Sequence, residues 1–304
     1  MIKLALLRAL VGLAGHVPVR ALYLAADLGA TLAWFGSRRL RATTRDHMRH
    51  VLPAAASRRQ IDRAARGCLR SAGRYYVDFA RYAGLEPARV WDFVDEIEGV
   101  PEVFAAYDRG CGLILTSAHL GNPEFIAQAL APLFDTLIFT EQLEPPAYHE
   151  YVHAVRRRAG VRFVPVDPNG VREAVRHLRA GKVAAALVDR DVTHSGAAFP
   201  FFGERAPMPR GAVELAWLTG APVIVGFVTR TTPGRYRVTL RAFELPTRRT
   251  GSGDRRADLE AGMRTVVTAL EAGIREAPDQ WFALSPIWSY GLGEHALDAP
   301  SSAP

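Results

Sequence analysis

The chain has 304 residues, 49% of them hydrophobic and 23% charged, which excludes a disordered polymer and suits one large domain with a small attachment. The formal net charge of +7 favours anionic partners, but no zinc-finger spacing or aromatic ribonucleoprotein motif is present, so nucleic acid is not expected. Cys68 and Cys111 lie far apart and fit neither a metal spacing nor a disulfide framework, which predicts inert thiols in a reducing, cytoplasm-facing compartment.

Residues 4–15 are apolar apart from Arg8, and residues 21–35 apart from Asp27. Neither run reaches the roughly 20 apolar residues of a spanning helix, and Pro18 breaks them apart. Residues 1–53 also carry eight Lys/Arg against two Asp. A segment both apolar and basic is expected to lie as two helices in or against a lipid interface, with Arg38, Arg39, Arg41 and Arg45 at lipid phosphates. An apolar hairpin packed on the domain is the bland alternative.

Residues 57–83 read as a helix. From about residue 100, short apolar runs alternate with amphipathic stretches. Strands are predicted over 111–118, 136–140, 162–166, 183–188 and 222–229, with 236–245 pairing beside the last. Helices are predicted over 123–134, 146–159, 171–180, 210–218 and 256–276, and 247–254 is a polar loop. This rhythm predicts an α/β fold: a mixed, mostly parallel central sheet flanked by helices, occupying 54–292, with a disordered tail at 293–304.

The sharpest chemistry follows the strand at 111–118, where Thr116-Ser117-Ala118-His119-Leu120-Gly121-Asn122-Pro123-Glu124 places His119 past a strand end, the usual position for a site in such sheets. Asn122 is a good N-cap and Pro123 a good first helical residue. Across the turn, Glu124 is expected to face His119 and to fix its tautomer as a general base. A lone loop histidine is more often structural, so spacing alone carries little.

More residues join the argument. His119 and Glu124, separated by four residues after an apolar strand, resemble the lysophospholipid acyltransferase superfamily. Specifically, they resemble its branch of lipid A lauroyl/myristoyl and phosphatidylinositol mannoside acyltransferases. Further blocks in order resemble the same branch: 46–53 (DHMRHVLP), Asp189-Arg190-Asp191 with Gly196 and 199–203 (FPFFG), Pro209 to Val223, and Gln280-Trp281-Phe282. The likeness covers about residues 20–290. It implies a His/acid pair and an acyl-CoA or acyl-carrier-protein thioester as donor substrate, with neither cofactor nor metal. It further implies a membrane glycolipid acceptor at the cytoplasmic face of the inner membrane, with an apolar acyl groove. Acyl carrier protein is thus a candidate partner. Leu284 to Trp288 lacks the basic residues usual in lipid A enzymes, and Ala197 to Pro200 offers no additional carboxylate relay. The acceptor therefore stays open between lipid A-like and mannoside-like.

Asn122, Arg158, Asp189, Arg190, Asp191 and Arg210 are the expected substrate-binding residues, Arg158 being the choice among Arg156, Arg157 and Arg158. Phe199, Phe201 and Phe202 are expected to line the acyl groove, with core packing as the alternative. A metal-dependent glycosyltransferase using Asp189 and Asp191, and a non-catalytic membrane-surface module, are the competing readings. Nothing in the sequence specifies an oligomeric state.

Overall fold

The computed structural model describes residues 2–83, 85–130, 133–157 and 161–288; the expected tail at 293–304 lies outside them. Helices α1 (Ile2–Leu13) and α2 (Val19–Gly36) are parted at Pro18, as the sequence predicts. No helix among the described residues is long and apolar enough to cross a membrane. Helix α3 (Arg38–Val51), unforeseen as a separate element, starts on Ser37, whose hydroxyl accepts the Leu40 N–H. Helix α4 (Arg58–Tyr82) opens on a capping box in which Ser57 and Gln60 satisfy each other's backbone donors.

The remaining elements alternate: β1 (Val94–Glu98), α5 (Val100–Tyr107), β2 (Leu113–Ser117), α6 (Pro123–Leu130), β3 (Thr136–Thr140), α7 (Pro146–Arg157), β4 (Arg162–Pro165), α8 (Pro168–Arg179), β5 (Val183–Leu187), a hairpin of β6 (Ala197–Phe201) and β7 (Glu204–Met208), α9 (Gly211–Thr219), β8 (Val223–Thr232), β9 (Arg235–Phe243) and α10 (Arg255–Glu276). Among the described residues the main sheet has seven strands in the order β1-β9-β8-β2-β5-β3-β4, and β8–β9 is its one antiparallel pair. Every β2 side chain is buried, because helices cover both sheet faces. Ile114, Ala184 and Leu215 belong to the cluster on one side, Leu115, Phe125 and Ala185 to that on the other. The predicted strands thus form, and the sheet is mixed and mostly parallel as expected.

Helix α3 is integral to the larger core: Met48 and Val51 pack there with Trp34. Two of its arginines are consequently not turned to lipid. Arg45 forks onto Asp62 at 2.6 and 2.9 Å and lies over the Trp34 ring, and Arg41 donates to the carbonyls of Trp34 and Phe35 at the end of α2. The expectation that these two meet phosphates is corrected. Leu24, Leu28, Leu32 and Phe35 form an outward stripe on α2, each more than 60% exposed, and Leu6 and Leu13 of α1 are exposed as well.

One register positions the site. Strands β2 and β5 are parallel neighbours with Ser117 opposite Leu187. Counting two residues onward from each places His119 opposite Asp189.

Candidate active site

His119 follows β2 in a loop whose backbone is held from two sides. Gly121 has φ +61°, and a Cβ there would meet the Val228 carbonyl oxygen, so glycine is required at this approach. The Gly121 N–H donates to the Gln280 carbonyl, the Phe282 N–H donates to the His119 carbonyl at 2.8 Å, and the Asn122 N–H donates to Val228.

The imidazole does not pair with Glu124. Its Nδ1 lies 2.8 Å from Asp189 Oδ1, while the His119 backbone N–H donates to Asp189 Oδ2 at 3.0 Å. The Trp281 indole N–H donates to the same Oδ2 at 2.8 Å. Asp189 is fully buried. Burial alone would raise its pKa, but the charge on His119 and the hydrogen bonds from His119 and Trp281 lower it to about 2. A carboxylate on Nδ1 fixes the tautomer that leaves Nε2 as the acceptor. That nitrogen has no hydrogen-bond partner among the described residues, and His119 lines a cavity of about 1140 Å³.

Glu124, in the first turn of α6, is taken by other groups. Arg156 of α7 forks onto it at 2.9 and 2.8 Å, and Tyr75 of α4 donates its hydroxyl at 3.2 Å. Burial works against the Arg156 charge, but Glu124 and then Tyr75 hold its pKa above the ordinary value. The Tyr75 hydroxyl is pushed far up by burial and by Glu124. The expectation of a His119–Glu124 pair is therefore corrected: a guanidinium fork satisfies this carboxylate better than one imidazole nitrogen. Both groups still share one wall, because the Phe282 ring lies 5.9 Å from His119 and 5.1 Å from Tyr75.

The other expected residues separate. Arg190, Asp191 and Arg210 line the cavity. Arg190 pairs with Glu141 and Arg210 with Glu214. Asp191 accepts from the Thr193 N–H and hydroxyl and the Gly196 N–H, which shapes its loop. Asp189 and Asp191 thus serve different partners, contrary to the metal-binding reading, and no cluster of three or more His, Cys, Asp or Glu suited to a metal occurs among the described residues. Asp189 does not line the cavity but pairs with His119. Asn122 is fully buried, capping α6 through the Phe125 N–H and donating to the Tyr236 hydroxyl, so it does not contact the cavity. Arg158 lies outside the described residues; Arg156 is the arginine of its run that faces the cavity.

Phe199, Phe201 and Phe202 lie in the core, at most 8% exposed, with Phe201 stacked on Trp288 at 5.6 Å. The groove expectation for them is corrected. The apolar wall comes instead from residues such as Ile114, Ile126, Ile138, Ala185 and Phe163. Sequence reading also missed Tyr75, Arg156 and Trp281. Their signal was faint: an aromatic at a helix end, one arginine of three, and one tryptophan among five.

Comparison with known proteins identifies the family. A phosphatidylinositol mannoside acyltransferase of Mycolicibacterium smegmatis is 27% identical over 241 residues, 77% of this chain and 75% of that protein. The protein of the same name from Mycobacterium tuberculosis is 28% identical over 162 residues, 51% of each chain. The sequence model of the bacterial lipid A biosynthesis acyltransferases matches residues 3–289. The chain belongs to that family and is an acyltransferase.

Proposed function

We propose that the protein transfers a fatty acyl chain from an acyl-CoA or acyl-carrier-protein thioester to a hydroxyl of a mannoside-like glycolipid, with His119 as general base. The observation that carries this reading is a carboxylate-oriented imidazole whose second nitrogen opens into a largely apolar cavity. At about 1140 Å³ the cavity exceeds the roughly 300–1,000 Å³ of a single small-molecule site, which suits two substrates.

The acceptor hydroxyl gives its proton to Nε2 of His119 as its oxygen attacks the thioester carbonyl. Asp189 stabilises the imidazolium without taking its proton. The tetrahedral oxyanion collapses, the carbon–sulfur bond breaks, and the thiolate takes the proton back from Nε2. Ester and free thiol are the products, so no covalent enzyme intermediate is needed. Arg156, held by Glu124, is a fixed positive charge on the same wall and suits the developing oxyanion.

The exposed α2 stripe, with Arg38 and Arg39 beyond its end, supports docking at the cytoplasmic face of the inner membrane through α1 and α2. The family's acidic donors and glycolipid acceptors suit the basic chain. The test is thiol release from acyl-CoA and from acyl carrier protein, with vesicles holding phosphatidylinositol mannoside or lipid A precursor. Turnover by wild type and none by His119→Ala is expected. Equal turnover by both would remove the mechanism.

A further inference from the structure

Three donors converge on the buried Asp189 carboxylate, and one belongs to neither catalytic strand. Trp281 is fully buried and boxed by rings: His47 of α3 at 5.1 Å, Phe201 at 6.1 Å and Trp288 at 6.4 Å. This packing prevents the indole from turning away. Its backbone is sewn to the catalytic loop by the Gly121 and Phe282 N–H bonds described above. Gln280 is fixed in turn, its side-chain oxygen accepting from the Arg230 N–H and its side-chain nitrogen donating to the Arg230 carbonyl. Segment 280–282 therefore holds both the loop that carries His119 and the carboxylate that orients it.

We propose that Trp281 is a positioning residue for acyl transfer: its indole N–H holds Asp189 so that Oδ1 meets His119 Nδ1. The inference rests on the reading of His119 as the base. A buried indole N–H needs an acceptor, and a backbone carbonyl would suffice for packing. Here the acceptor is the ionised group that orients His119. Without this donor the carboxylate keeps only the two hydrogen bonds from His119 and is free to turn. Oδ1 then holds the Nδ1–H tautomer less firmly, and Nε2 is presented to the cavity as acceptor less often.

The other titratable groups nearby must remain unchanged. His47 faces Trp281 from α3 and is neutral near pH 7, and Tyr75, Glu124 and Arg156 line the shared cavity from α4, α6 and α7. Trp281→Phe substitutes none of these groups.

The experiment follows the His119 imidazole by nitrogen NMR in protein labelled at histidine, without substrate, assigned by the spectrum of His119→Gln. In Trp281→Phe the ring-nitrogen signals of the neutral His119 imidazole are expected to move from one dominant tautomer toward a mixture of the two. In the thioester assay kcat is expected to fall about tenfold to a hundredfold, with donor KM within about twofold. Combined with Asp189→Asn, the same change is expected to cost nothing further. An unchanged tautomer signature, or an equal loss in the Asp189→Asn background, would overturn the proposal. Should Trp281→Phe not fold, the wild-type Trp281 indole N–H resonance decides the matter. It is expected to shift upfield in Asp189→Asn, and an unshifted signal sinks the idea. Wild-type protein that turns over no thioester would remove the proposed function, while the histidine tautomer signals still report on Trp281.

Discussion

Glu124 and Asp189 are both buried carboxylates held by three donors, yet only Asp189 touches His119. Asp189 takes its donors from the His119 loop and segment 280–282. Glu124 takes its donors from α4 and α7 and never reaches the imidazole. The difference teaches that proximity in sequence is a poor guide to partnership here. Five positions along the chain put Glu124 on a helix start beside an arginine, whereas seventy positions put Asp189 just past the end of the neighbouring strand, in register.

This contrast can be broken most forcefully at His119. His119→Ala is expected to lower kcat about a thousandfold, within the range for a general base. Asp189→Asn is expected to cost about a hundredfold or more by disturbing the tautomer, with the protein still folded by circular dichroism. If Glu124→Gln matched that kinetic loss without loss of stability, the assignment of roles would be reversed.

For Glu124 the expected signature is stability. Glu124→Gln leaves Arg156 buried without its counter-charge, at a cost of about 3 kcal/mol, read as a lower urea midpoint. Glu124→Gln with Arg156→Met is expected to regain most of that stability and none of the lost activity.

Acid sharpens the comparison further. Burial, then the neighbouring His50, lowers the His47 pKa to about 4, and burial, then Arg156, lowers His153 to about 4. Unfolded histidines take up protons near pH 6.5, so the unfolded state binds more protons and stability falls from about 6.5 down to about 4. Asp189 acts in a lower window: its contribution is complete above the ordinary carboxylate value of 3.8 and is lost as pH drops through about 2. Urea midpoints measured against pH should show a shallower slope between 6.5 and 4 in His47→Gln. An unchanged slope would show that His47 does not titrate this way.

The smallest expected effect lies farthest from the dyad. Leu28→Lys places a charge on the exposed α2 stripe and should weaken sedimentation with anionic vesicles about tenfold, the equivalent of one large apolar side chain. Cleavage of a soluble short-chain thioester should stay unchanged. Unaltered vesicle binding would argue against docking through this face.

Much of the fold was legible because continuous apolar strands and capped amphipathic helices are local signals. Leu113 to Ser117, Val183 to Leu187 and the break at Pro18 announce themselves. Helix α3 did not: five arginines masked the inward row of Thr44, His47, Met48 and Val51. His119 was legible as a histidine past a strand end. Its partner was not, because β5 follows β2 in space but comes after β3 and β4 in sequence. The cue existed, since His119 and Asp189 each stand two residues beyond an apolar strand, but using it needs the strand order. Phe199, Phe201 and Phe202 misled because aromatic richness marks cores and grooves alike.

The register between β2 and β5 has an evolutionary consequence. A residue inserted into or deleted from either strand would change the frame in which imidazole and carboxylate meet, while the connections carrying β3 and β4 can change length without altering it. Variation in this architecture should therefore accumulate in the intervening segments, leaving the short count from strand to base, and from strand to carboxylate, as the invariant measure.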